Sequence, residues 1–106
     1  MEEGNNIISL EKVMNNLDQS GNYFIDVFND RGFSAGILRL KKGEIDTQLP
    51  HPVDEVYYVV EGKGFIEIEG KLKHVKSADF IFVPANAHHR FVLDDKELVV
   101  IYFLGS

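Results

Sequence analysis

The chain contains no cysteine. Disulfides and thiolate chemistry are therefore excluded, and any bound metal must be held by histidine, carboxylate or amide groups. It has no unbroken apolar run near the roughly 18 residues that a membrane-spanning helix needs. The amino terminus, MEEGNNIISLEKVMNN, carries early acids and only a brief apolar pair, which is not the pattern of a secretory signal. Basic residues are scarce: 11 Lys and Arg stand against 17 Asp and Glu, for a formal charge of -6. Phosphate backbones are bound by basic stripes, and none is present, so nucleic acid is excluded as a partner. Internal repeats and low-complexity segments are also missing. These absences lead to the expectation of a cytoplasmic protein with neither membrane nor nucleic-acid partners.

What remains is an ordinary globular composition, 44% hydrophobic and 26% charged, in 106 residues. That length builds one core and one domain. A short helix is expected over Leu10 to Leu17, with Ser9 as its cap. The rest reads as eight short strands: YFIDVFN, FSAGILRL, EVYYVVE, FIEIEG, LKHVK, DFIFVP, HRFVLD and LVVIYFL. Between them lie NDRG, KKGE, EGKG, EGK and DDK, whose Gly, Asn and Asp residues suit tight or left-handed turns. In FIEIEG, Ile66 and Ile68 share one face and Glu67 and Glu69 the other, so this strand has a wet side. LVVIYFL is apolar on both faces and reads as a central or doubly covered strand. Eight strands at this spacing suggest a sandwich or a small closed barrel, and closure removes exposed edges.

Chemistry concentrates in two stretches. In QLPHPVDEVYYVVEG, strand alternation places Glu55, Tyr57 and Val59 on one face, and His51, four residues before Glu55, has the same parity. In VPANAHHRF, His88 and His89 follow Pro84. His51, Glu55 and one of these two histidines would make a two-His-one-carboxylate set, an arrangement that leaves coordination positions open. Each residue alone has a plainer reading, since single histidines are more often hydrogen-bonded structural residues and adjacent acids are common near turns. Their joint placement at two strand starts separated by a hairpin is what favours a site. His88 should face away from His89, and His74, among three lysines, should be exposed. Tyr57 and Phe91 share faces with Glu55 and His89, which makes them candidates for the pocket wall, although filling the core explains them as well.

Together these stretches resemble the cupins, small double-stranded β-helix or jelly-roll barrels. The first cupin motif, Gly, five residues, His-x-His, three or four residues, Glu, six residues, Gly, is matched by Gly43, His51, Glu55 and Gly62, with Leu49 at the first histidine. The second, Gly, five residues, Pro-x-Gly, two residues, His, reads Ala78, Pro84, Asn86 and His89. The resemblance implies an all-β jelly-roll barrel over residues 33–106, with the N-terminal helix and leading strand of residues 1–32 packed on it. Carried over residue by residue, it implies His51, Glu55 and His89 as ligands of a divalent transition metal (Fe, Mn, Ni, Zn or Cu). Leu49 leaves one ligand position without its histidine. Gln48, next to it, is the residue to supply an amide oxygen there, with water as the alternative. The implied function is a metal-dependent enzyme, of dioxygenase or isomerase/lyase type, acting on a small organic or sugar-like molecule. The alternative is a metal-free small-molecule-binding module. Pairing into a homodimer is expected, with NYFIDVFN as an edge or exchanged strand.

Overall fold

Short-range chemistry sets the ends of the elements. In the computed structural model, which describes residues 6–105, helix α1 spans Leu10–Ser20, past the expected end at Leu17. The Ser9 side chain caps it by accepting from the Lys12 N–H at 3.1 Å, and Gly21 ends it in left-handed backbone at φ 73°. Val13 and Leu17, four residues apart, form its buried stripe. Six strands follow: β1 Phe24–Asp30, β2 Phe33–Lys41, β3 Glu55–Ile68, β4 Lys71–Lys76, β5 Phe80–Val83 and β6 His89–Leu104. All pair antiparallel, in the order β1-β2-β6-β3-β4, with β5 also on β3. The all-β barrel with one short helix is thus as the sequence implies, and β1 lies at one end of the strand order.

The expected count of eight strands is corrected to six. EVYYVVE and FIEIEG are two halves of β3, and HRFVLD and LVVIYFL are two halves of β6. The intervening EGKG and DDK are irregularities within strands rather than reversals. Gly62 pairs with Leu98 but Gly64 pairs with Leu93, so Lys63 alone faces a longer stretch of β6. The physical reason is close backbone approach. A Cβ on Gly62, which has φ 91°, would overlap the Glu97 carbonyl, and one on Gly64 would lie 2.6 Å from the Val92 carbonyl. These glycines serve bulges, not a chain reversal. Bending there lets the first half of β3 pair with β5 and the second half with β4. Where the chain does reverse, two-residue turns with positive φ carry it: Arg31 and Gly32 at 50° and 79°, and Glu69 and Gly70 at 49° and 80°.

Two apolar layers result. Inside the barrel, Leu38, Tyr57, Val59, Ile66, Leu98 and Val100 belong to one core. Outside it, α1 lays Val13 and Leu17 on Ile37 and Val99. The helix explains why LVVIYFL is apolar on both faces: Leu98 and Val100 enter the barrel while Val99 meets the helix.

One row across the sheet matters for the site. Asp26 pairs with Gly36, Gly36 with Tyr102, and Tyr102 with Tyr57. The Tyr102 phenol extends over Gly36 and donates to Asp26 Oδ1 at 2.5 Å. A Cβ on Gly36 would overlap both the Tyr102 hydroxyl and the Ile25 carbonyl, so the glycine is required by the tyrosine lying over it. Gly36→Ala should therefore destabilise the fold by about 1–3 kcal/mol, the usual cost of overpacking. The urea unfolding midpoint checks this, and an unchanged midpoint would contradict the packing described.

Candidate metal centre

Glu55 opens β3 and His89 opens β6, whereas His51 lies in the irregular segment between β2 and β3. Strand parity therefore does not place His51. Two hydrogen bonds between loops do: the Asn86 N–H donates to the His51 carbonyl at 2.7 Å, and the Ala85 N–H donates to Asp54 Oδ1 at 2.9 Å. They fasten the segment before β3 to the turn before β6, bringing the His51 and His89 rings to 5.7 Å between centroids. Asn86 and Ala78, which stand where the motif has glycine, both adopt left-handed backbone, at φ 67° and 75°.

His51, Glu55 and His89 each present a donor atom, and the three atoms lie within 4.8 Å of one another. Glu55 Oε1 is 3.1 Å from His89 Nε2 and 3.9 Å from His51 Nε2. Ligands of one transition-metal ion, each held at about 2.0–2.2 Å, stand roughly 3–3.5 Å apart, so modest side-chain rotations close this set. Glu55 is only 2% exposed, and its Oε1 accepts no hydrogen bond among the described residues. The 3.1 Å approach of His89 is a charge contact lacking hydrogen-bond alignment. Leaving a carboxylate oxygen buried in this way is costly, and a cation removes the cost. The residues present fit a divalent ion.

The surroundings fix the tautomer of His89. Its Nδ1 lies 3.0 Å from the Ala87 carbonyl, which can only accept, so Nδ1 carries a proton and Nε2 faces the carboxylate. Burial works to lower the His89 pKa, but contact with Glu55, the Ala87 carbonyl and the charge of Asp46 outweigh it, and the net direction is upward. Tyr57 Oη donates its single proton to Gln48 Oε1 at 3.0 Å and presents lone pairs to His89 Nε2, also at 3.0 Å. Burial, reinforced by the Glu55 charge, raises the Tyr57 pKa far above the usual tyrosine value, so it remains a neutral phenol.

Gln48, expected as a possible fourth ligand, has its amide held at both ends. Its Nε2 donates to Asp46 Oδ2 at 2.8 Å, which turns its oxygen toward Tyr57. Leu49 is 78% exposed beside it. Tyr57 and Phe91, expected as pocket walls, lie in the core beneath the site, edge to face with ring centroids 4.8 Å apart. The walls of the adjoining cavity, about 410 Å³, come instead from residues that include Phe24, Asp26, Leu38, Leu49 and Tyr102, with His51, Glu55 and Gln48 at the donor side. His88 and His74 are exposed, as anticipated.

Asp46 escaped the sequence reading. It is 4% exposed and accepts from the Phe91 N–H at 2.7 Å, the Gln48 N–H at 3.2 Å, Gln48 Nε2 at 2.8 Å and Tyr23 Oη at 3.2 Å. Its local signal is the Asx turn to Gln48, an acid two residues before the N–H it binds.

An uncharacterised protein of Streptomyces coelicolor is 31% identical over 81 residues, covering 74% of this chain and 77% of its own length. The acireductone dioxygenase of Leptospira interrogans is 44% identical over 59 residues, 50% of this chain, which spans 33% of that enzyme's length. Among solved structures, KdgF from Halomonas sp. superposes with a TM-score of 0.64 at 24% identity, covering 78% of this chain and 77% of that one. An RmlC-like cupin from Shewanella frigidimarina superposes with a TM-score of 0.67 at 22% identity, covering 77% and 73%. The match to the cupin domain runs over residues 36–105, from β2 through β6, and contains all three donor side chains; the chain belongs to the cupin family.

Proposed function

We propose that this cupin is a metal-dependent enzyme of dioxygenase type, binding a divalent transition ion through His51, Glu55 and His89 and acting on a small organic molecule. The observation that carries the reading is the buried, unpartnered Glu55 Oε1 standing between two imidazoles. Dioxygenase chemistry is favoured over isomerase or lyase chemistry by the 44% identity to acireductone dioxygenase, an identity confined to 50% of this chain. A redox-active divalent ion held here supplies Lewis acidity, electron transfer with oxygen and open positions for a chelating substrate.

The chain's own groups have separate tasks. Glu55 and His89 form the buried side of the centre, while His51, with its side chain 32% exposed, forms the side open to the cavity. Asp46 orients Gln48, Gln48 accepts the Tyr57 hydrogen bond, and Tyr57 offers only lone pairs toward His89. In this reading Gln48 acts as a positioning residue and the centre has three protein ligands. The Ala87 carbonyl holds His89 in the tautomer that binds through Nε2.

Protein loaded with Fe, Mn, Ni, Zn or Cu and then desalted should retain about one equivalent, and His51→Ala or His89→Ala should weaken retention well beyond the 10–100-fold typical of losing an outer hydrogen-bond partner. Elemental analysis checks this; retention equal in wild type and both variants would contradict the assignment. Binding should also depend on pH. The raised His89 pKa means that its stabilising contribution to the metal-free fold is present below the ordinary histidine value and is lost as pH rises through the raised one. Because the ion must displace the Nε2 proton, affinity should fall about tenfold per pH unit below that raised value. A competition titration across pH that gave constant affinity in the acid range would contradict proton displacement.

A further inference from the structure

The cavity beside the centre has a second polar cluster. Asp26 and Tyr102, at the Gly36 row, line it together with His51 and Glu55, and among the described residues its lining contains no lysine or arginine. The proton inventory at this cluster is one-sided. Tyr102, 5% exposed, commits its only hydroxyl proton to Asp26 Oδ1 at 2.5 Å, so what it has left is lone pairs. Among the described residues, Asp26 Oδ2 takes a long 3.4 Å hydrogen bond from Asn29 Nδ2 and keeps acceptor capacity. Burial, with the Asp26 hydrogen bond next, raises the Tyr102 pKa far above its usual value, so the phenol stays neutral. Ser34 and Thr47, also in the lining, carry hydroxyls that serve in either sense. Phe24, Leu38 and Leu104 add apolar surface to the same lining.

We propose that Asp26 and Tyr102 form a substrate-recognition pole that accepts hydrogen bonds from a hydroxyl or ammonium group on the far end of the substrate and rejects carboxylates and phosphates. The glycine at position 36 is what lets the two side chains meet across β2. The pole adds spare acceptors to a cavity that also holds the unpartnered Glu55 Oε1. This rests on the reading of the cavity as the substrate site and adds the substrate's class: a small neutral or cationic molecule with a donor at its tail.

The test uses three hydroxamates of matched length, chelating at one end and finishing in an ammonium, a hydroxyl or a carboxylate: 4-aminobutanehydroxamate, 4-hydroxybutanehydroxamate and succinate monohydroxamate. Calorimetry on the zinc-loaded full chain should show the ammonium and hydroxyl probes binding at least about tenfold more tightly than the carboxylate, the worth of one partly screened charge contact. Asp26→Asn, which keeps the acceptor for Tyr102 and removes the charge, should reduce the ammonium-to-carboxylate ratio to below about threefold. Equal affinities, a preference for the carboxylate, or an unchanged ratio in Asp26→Asn would overturn the proposal. A parallel arm on chelator-treated protein follows the Tyr102 ring by NMR with n-butylammonium, n-butanol and butyrate. Failure to load zinc would refute the metal reading alone, while the second arm still decides the pole: butylammonium and butanol shifting the ring, and butyrate not, supports it, and any other pattern overturns it.

Discussion

A buried carboxylate oxygen facing two imidazoles is the constraint around which the site is arranged. Glu55 begins β3 inside the barrel, its Oε1 facing the Nε2 atoms of His89 and His51. Such an oxygen is tolerated when positive charge stands against it, from an imidazolium or a metal ion. The neighbouring interactions favour that outcome. The Ala87 carbonyl fixes the Nδ1 proton, Tyr57 directs its own proton away to Gln48, and Asp46 holds Gln48 so that it can receive it. Every hydrogen bond in this chain has a defined direction, and together they leave Nε2 of His89 facing a negative oxygen.

The fold delivers these groups through features that look like defects in strands. Bulges at Gly62 and Gly64 bend β3 so that its first half pairs with β5 and its second half with β4. Left-handed Ala78 and Asn86 shape the turns flanking β5, and Asn86 then fastens the His51 loop in place. Helix α1 contributes nothing to the cavity but covers Ile37 and Val99, keeping dry the outer face of the strands whose inner face carries Leu38, Val100 and Tyr102.

Much of this was legible in the sequence, for definite reasons. Motif spacing singled out His51, Glu55 and His89, and those three donor atoms do cluster, although hydrogen bonds between loops are what carry His51 there. Alternation identified Ile66 as buried, and the two-faced apolarity of LVVIYFL marked β6 as central. What was not legible depended on register or depth. Glycines of EGKG read as a turn because turns and bulges ask the same of the backbone. Parity put Tyr57 and Phe91 inward correctly but could not say that the cavity ends above them. Asp46 binds the N–H of Phe91 across 45 residues of sequence, and the Asp26–Gly36–Tyr102 row spans three strands. No local pattern reports either one.

The central claim is that two imidazoles and one carboxylate converge on a single ion. X-ray absorption at the metal edge of the loaded protein tests it most directly. The account predicts a coordination shell of nitrogen and oxygen at about 2.0–2.2 Å with the outer scattering of two imidazole rings, falling to one in His89→Ala. A shell without imidazole scattering, or one identical in His89→Ala, would contradict it.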